Sequence, residues 1–138
     1  MVSPKRIFID RLNFQDDLLL GLTDVCRKNN VTLGVFNAIG AVNKASLGYY
    51  DQLEKKYVET LNIDKKLEIA SCSGNISLSG DNEIFVHAHV VFAGHDGRCY
   101  GGHLMPGASV FACEYHITEF EGIVLKRRKD SNTGLNLW

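Results

Sequence analysis

The sequence predicts an α/β (α+β) fold in which one main helix packs on a largely antiparallel, curled β-sheet of about seven strands. Two observations carry this prediction. One early segment repeats apolar residues at helical spacing. After it, apolar and polar residues alternate almost to the end of the chain, with short connections between the runs. The 138 residues include two prolines and no linker-like stretch, so residues 1–138 are expected to form a single domain.

The helix is predicted for residues 14–29. Leu18, Leu22 and Val25 repeat at the spacing that places side chains on one helix face. Asn13 is suited to the N-cap position, where its side-chain oxygen would accept a hydrogen bond from a free backbone N–H. This is the one segment of the chain with a clear helical pattern.

The strands are predicted from alternating or β-branched runs bounded by turn residues. A short strand at residues 6–10 precedes the helix. Long runs suggest a sheet that curls or closes into a barrel. The later predicted strands are residues 31–39, 44–51, 56–61, 67–78, 84–92, 100–104 and 109–121, with residues 123–126 extending the last one.

The composition of the chain limits the kinds of function that it can have. The net charge of −1 provides no overall positive field for nucleic acid, so DNA binding would need a local basic patch. No apolar stretch is long enough to cross a membrane as a helix. The first residues lead into a strand-like run instead of a secretory signal, which predicts a cytoplasmic protein with reduced thiols. The four cysteines are Cys26, Cys72, Cys99 and Cys113.

Three histidines are the most informative residues. His87 and His89 alternate along one predicted strand and therefore point to the same face. A three-residue loop at residues 95–97, with Gly97 in the left-handed conformation, would place His103 opposite His89. A loop of two or four residues would instead send His103 to the other face. The cluster thus depends on one turn type.

Three imidazoles with an open fourth position form a familiar zinc arrangement, and imidazole also suits copper, nickel and iron. The alternative is that these histidines are polar residues on the solvated face of an amphipathic strand. The spacing by itself leaves both interpretations open, because an HxH pair is a weak signal.

Three parts of the sequence resemble the PPC domain family (plant and prokaryote domain). They are GVFNAIGAVNKASLGYYD at residues 34–51, Leu67-Glu68-Ile69 with Ser73-Gly74, and HAHV at residues 87–90 followed by DGRCYGGHLMPGASV at residues 96–110. The last block is the most specific, because it joins the HxH strand to the GGHL strand. The resemblance covers nearly the whole chain.

The resemblance implies a homotrimer that binds a divalent metal through His87, His89 and His103, and zinc is the ion we expect. It also implies an acidic residue at Glu114 in the strand after GGHL, and a DNA-binding or regulatory role. Plant members carry AT-hook segments, whereas this chain has no Arg-Gly-Arg-Pro hook. The resemblance favours a binding module over an enzyme.

Two further functions remain open at this point. A metal-dependent hydrolase would use the three-histidine metal to activate water and Glu114 as general base. A DNA-binding protein would use the one dense basic run for phosphate contacts, although such a run is also typical of a solvated strand end. That run is Lys126, Arg127, Arg128 and Lys129.

Overall fold

The computed structural model describes all residues, Met1–Trp138, as one helix and a largely antiparallel sheet. This arrangement confirms the predicted fold class. No helix is long and apolar enough to cross a membrane. The elements are β1 (Ser3–Leu12), α1 (Leu18–Lys28), β2 (Gly34–Asp51), β3 (Lys56–Ile63), β4 (Leu67–Leu78), β5 (Ile84–Ala93), β6 (Cys99–Leu104), β7 (Ser109–Glu121), β8 (Arg128–Lys129) and β9 (Asn136–Leu137).

The sheet has the strand order β1-β7-β2-β4-β5-β6, and β3 pairs with β2 outside this path. Strand β6 also returns to β2, where Gly48 lies opposite His103. This second pairing closes β2, β4, β5 and β6 into a ring. The predicted curled sheet is therefore present, and the closure brings β6 close to the distal half of β2.

Strand β2 joins two segments that the sequence analysis treated as separate strands. Its first half pairs with β7 and β4, and its second half pairs with β3 and β6. Gly40 suggested a strand end, but it lies at a register irregularity within β2 at φ +146°. A side chain there would lie 2.1 Å from the Ala112 carbonyl oxygen. Gly40 is therefore required by close backbone contact inside a continuous strand.

The helix begins at Leu18, four residues later than predicted, and its N-cap is Asp17 instead of Asn13. Asp17 Oδ1 accepts a hydrogen bond from the Leu20 backbone N–H at 2.9 Å. The preceding residues form a turn in which Asp16 Oδ2 accepts from the Asn13 N–H at 2.9 Å. Asn13 thus donates to an acidic side chain and has no capping role.

The core lies between the helix and the inner face of the sheet. The helix contributes Leu18, Leu22 and Cys26, all fully buried. Strand β5 alternates strictly, with Val86, Ala88, Val90 and Phe92 buried. The histidines of β5 occupy the intervening positions and therefore point to the outer face of the sheet.

The chain after β7 does not extend that strand, which corrects the prediction for residues 123–126. Gly122 adopts φ +113° and turns the chain away. The segment then runs beside the end of β4, where the Leu78 N–H donates to the Leu125 carbonyl and the Arg127 N–H donates to the Leu78 carbonyl. The C-terminal segment, residues 122–138, therefore passes the end of β4, and further along it reaches the β2–β3 hairpin, where the Tyr50 hydroxyl donates to the Thr133 carbonyl.

Candidate metal centre

The turn between β5 and β6 has the predicted three-residue geometry. The Gly94 N–H donates to the Arg98 carbonyl at 2.9 Å, and Gly97 is left-handed at φ +77°. The resulting register pairs His89 with His103. The loop prediction is confirmed, and its consequence is that both imidazoles lie on the same face.

The three imidazoles form one cluster on the outer face of the sheet. The ring centroids of His87 and His89 are 5.1 Å apart, those of His87 and His103 are 5.1 Å apart, and those of His89 and His103 are 5.6 Å apart. One ring nitrogen of each histidine lies within 4.8 Å of the other two. At these separations the three nitrogens could bind one ion.

Two ring nitrogens of this cluster lack hydrogen-bond partners. His87 Nε2 and His103 Nδ1 are both buried, and neither contacts a protein donor or acceptor. Buried polar atoms are nearly always satisfied, because an unpaired one costs about 1–3 kcal/mol. Two such atoms in one cluster of potential ligands fit the coordination of a metal ion.

Burial also sets the protonation state of the cluster. It lowers the pKa of His87 to about 4, with smaller contributions from the positive charges of His103, Arg127 and His89. Burial likewise lowers the pKa of His103, and His89 adds to the effect. These two imidazoles are therefore neutral near pH 7, which is the form that binds metals.

Close backbone packing positions His103. A side chain at Gly102 would lie 2.8 Å from the Gly48 carbonyl oxygen, so the glycine allows β6 to approach β2. The Tyr57 ring of β3 lies 4.3 Å from the His103 ring, centroid to centroid, and is tilted by 31°. Strands β2 and β3 thus support one side of the histidine cluster.

Arg127 is only 5% exposed, and its positive charge acts on His87. Its guanidinium donates to Ser77 Oγ at 2.9 Å and to Asn75 Oδ1 at 2.7 Å. Asn75 is the cross-strand partner of His87. Arg127 therefore lies next to the cluster, although the sequence analysis considered it only as a DNA contact.

Residues 1–121 match the family model of the Plants and Prokaryotes Conserved (PCC) domain. This match includes the whole histidine hairpin. The chain belongs to the PCC domain family. The resemblance found in the sequence is thereby confirmed.

Solved structures similar to this PCC domain include a metal-containing protein from Archaeoglobus fulgidus. It is 39% identical, with a TM-score of 0.92, and the match covers 100% of this chain and 96% of that one. A plant- and prokaryote-conserved (PPC) protein from Pyrococcus horikoshii is 33% identical, also with a TM-score of 0.92, over 100% and 94% of the two chains. A candidate DNA-binding protein from Bacteroides thetaiotaomicron shares the fold at 24% identity and a TM-score of 0.85, over 99% and 96% of the chains.

A Synechococcus protein named bifunctional protein GlmU is 30% identical over 131 residues. The match covers 94% of this chain but 20% of that protein. A second GlmU, from another Synechococcus strain, is 28% identical with similar coverage. The PCC chain thus spans about a fifth of the length of these curated relatives.

Glu114 of the PCC domain lies away from the cluster within one chain. It is exposed on β7, opposite Ile39 of β2 and Arg11 of β1. Strands β2 and β4 separate β7 from β5 in the sheet. The structure does not bring Glu114 together with the histidines, so the hydrolase alternative is not favoured.

The basic run does not present a single face. Arg128 and Lys129 are exposed, Lys126 is partly buried, and Arg127 points inward. The four basic residues are consecutive in sequence. In the structure their side chains differ in exposure, so they do not act as one basic surface. No sequence signal linked Arg127 to the histidines, because Arg127 follows His87 by 40 positions and lies outside the predicted hairpin.

Proposed function

We propose that this PCC domain is a homotrimeric protein that binds a divalent metal through His87, His89 and His103, with a regulatory or DNA-associated role in the cytoplasm. Four free cysteines support that location. The single observation that carries metal binding is the pair of buried, unpartnered nitrogens, His87 Nε2 and His103 Nδ1, in one three-histidine cluster.

Zinc is the first choice among divalent ions, because neutral imidazoles and low coordination numbers suit it. Three protein ligands would leave a position for an exogenous ligand, and a bound ion would supply Lewis acidity there. The protein's own contribution is to orient the rings. The β5–β6 register aligns His89 with His103, and the Tyr57 ring packs on His103.

A similar protein of known structure supports the metal proposal. The Archaeoglobus fulgidus relative is named a metal-containing protein, and its chain aligns with this one over the full length. The name does not identify the ion or its ligands. The assignment to His87, His89 and His103 therefore rests on the geometry of this chain.

The trimer proposal rests on the outer face of the sheet. Ile7 and Ile9 of β1 and Val35 and Ile39 of β2 are exposed there, with Ile9 at 81%. Strand β7 lies between these two strands, so the four side chains share one surface. Thr118, His116 and Glu114 of β7 lie between them on the same face, and association of identical chains would bury the four apolar side chains together with these polar groups.

The histidine cluster lies on the same face of the sheet. Paired residues run across the sheet from Ile9 through His116, Asn37 and Ser73 to His89. A copy packed on the apolar part of this face would therefore approach the histidine cluster. In a trimer each site would lie close to a subunit boundary.

Zinc titration of tag-free protein tests the metal proposal. We expect saturation at one zinc per chain, and we expect His89→Ala to weaken binding on the order of 100-fold or more. His95→Ala is the matched control, because His95 is exposed in the β5–β6 turn. Binding that His89→Ala leaves unchanged would overturn the assignment.

DNA association is a separate part of the proposal, supported by the exposed Arg128 and Lys129 and by the naming of fold relatives such as the Bacteroides protein. Duplex binding should weaken steeply with salt, and charge reversal at Arg128 and Lys129 should remove it. Fluorescence anisotropy at low salt measures both. No affinity at low salt would rule out this role.

A further inference from the structure

The charge around the histidine cluster is unbalanced. The cluster holds three histidines and no Asp or Glu. Beside it, Arg127 is buried and forms no ion pair with a carboxylate side chain; its named acceptors are Ser77, Asn75 and the Asn136 carbonyl, all uncharged. A buried charge is ordinarily paired with an opposite one.

A second buried charged residue of the chain does have charged partners. Glu119 is the other buried charged side chain, and it pairs with Lys5 and with Arg6. Charge compensation is thus achieved at Glu119 and left incomplete at Arg127. The buried residue without a charged partner is therefore Arg127, which lies beside the proposed metal site.

The position of Arg127 is fixed from several sides. Its guanidinium lies 4.8 Å from the centroid of the Phe85 ring and 4.4 Å from that of the Trp138 ring. Phe85 and His87 point to the same face of β5, at a spacing of about 7 Å along the strand. The guanidinium is therefore held within a short distance of His87, with little freedom to move into solvent.

Metal binding would add two positive charges to this region without adding a negative one. Three neutral imidazoles do not neutralise a divalent ion, and Arg127 raises the local positive potential further. In a partly buried site such repulsion is weakly screened by solvent. A negatively charged ligand at the open coordination position would be attracted by both the ion and the guanidinium.

We propose that the metal-loaded histidine site binds a small oxyanion, a carboxylate or phosphate group, with Arg127 supplying the second positive charge that attracts it. This inference rests on the metal binding proposed above. Arg127 acts through its charge, because its named hydrogen bonds hold it against Ser77, Asn75 and Asn136. Oxygen anions suit both divalent ions and guanidinium groups.

Trp138 provides the measurement, because it is the only tryptophan and lies on the Arg127 guanidinium. Zinc-loaded protein, freed of excess zinc, is titrated in parallel with inorganic phosphate and with acetate while tryptophan fluorescence is recorded. We expect saturable binding of at least one of the two anions, weaker by about tenfold or more in metal-free protein. Phosphate alone would indicate a phosphate ligand, acetate alone a carboxylate, and either result supports the inference.

Variants then test the role of Arg127. Arg127→Gln should weaken anion binding by about tenfold, and Arg127→Lys should weaken it less, because Lys keeps the charge but loses the hydrogen bonds and ring contacts that position the guanidinium. Arg128→Gln is the matched control, since Arg128 is an exposed neighbour and its removal should have an effect under about twofold. Circular dichroism establishes that each variant is folded.

The titrations of the wild-type protein test the proposed anion binding even if Arg127→Gln fails to fold. Saturable zinc binding with no anion binding would overturn this inference and leave the metal proposal standing. Anion binding of equal strength with and without zinc would also overturn it. Absence of zinc binding would overturn both proposals together.

Discussion

His103 lies opposite His89 across the β5–β6 hairpin and opposite Gly48 across the β2–β6 pairing. The same residue therefore belongs to the histidine cluster and to the contact that closes the sheet. Because Gly102 precedes His103 and meets the Gly48 carbonyl, the site and the closure depend on one another.

The first prediction concerns Gly102. Gly102→Ala would place a Cβ 2.8 Å from the Gly48 carbonyl oxygen, so β6 must move and His103 with it. We expect a loss of about 1–3 kcal/mol in unfolding free energy and weaker zinc binding. Gly101→Ala is the control, because its Cβ would meet its nearest atom at 3.3 Å. Denaturant unfolding and zinc titration measure both, and equal effects of the two substitutions would contradict the dependence.

The second prediction concerns pH and the metal-free protein. The folded-state pKa of His87 is lowered to about 4 from an ordinary value of 6.5. Between these values the unfolded chain binds the proton and the folded chain does not, so stability falls as pH decreases through this window and is unaffected above it. We expect His87 to account for a loss of about 1–2 kcal/mol between pH 7 and pH 5.

Urea unfolding at the two pH values measures this loss, and His87→Gln should reduce it. His95→Gln is the control, since the turn residue is exposed. A pH dependence identical in wild-type protein and His87→Gln would show that the cluster is not the source. In the zinc-loaded protein, acid should in addition release the ion, because protons compete for the imidazoles.

The third prediction concerns association. Ile9 is 81% exposed on the outer face of the sheet, and Ile9→Glu would place a charge in the proposed contact between copies. We expect the trimer to dissociate, as measured by light scattering. Leu53→Glu is the control, because Leu53 is an apolar residue that is 94% exposed in the turn between β2 and β3. A monomeric wild-type protein would refute the trimer directly.

The fourth prediction concerns the helix cap. Asp17 accepts hydrogen bonds from the Leu20 N–H and the Gly107 N–H, so it joins α1 to the segment before β7. Asp17→Ala should lower the unfolding free energy by about 1–2 kcal/mol, and Asp17→Asn should lower it less. Zinc affinity should stay unchanged in both variants, because neither contact reaches the histidines. Thermal unfolding and zinc titration provide the comparison.

The local features of the site were predictable from sequence because they depend on short-range rules. Strand alternation places His87 and His89 on one face, and Gly97 selects the three-residue turn that aligns His103. The position of Arg127 was not predictable, because it depends on where the chain goes after Gly122. A similar limit applies to the helix start, since Asn13 and Asp17 are both good capping residues and tertiary contact selects the second.

The C-terminal segment has a consequence for how this fold can diversify. The three imidazoles lie within residues 1–121, the part matched by the family model, whereas Arg127 and Trp138 lie beyond it. A chain with the same hairpin and a different tail would keep the metal ligands and lose the neighbouring guanidinium. Under the two proposals, metal binding and the choice of anion depend on separate stretches of sequence, and exchanging the C-terminal segments of relatives should transfer the second property without the first.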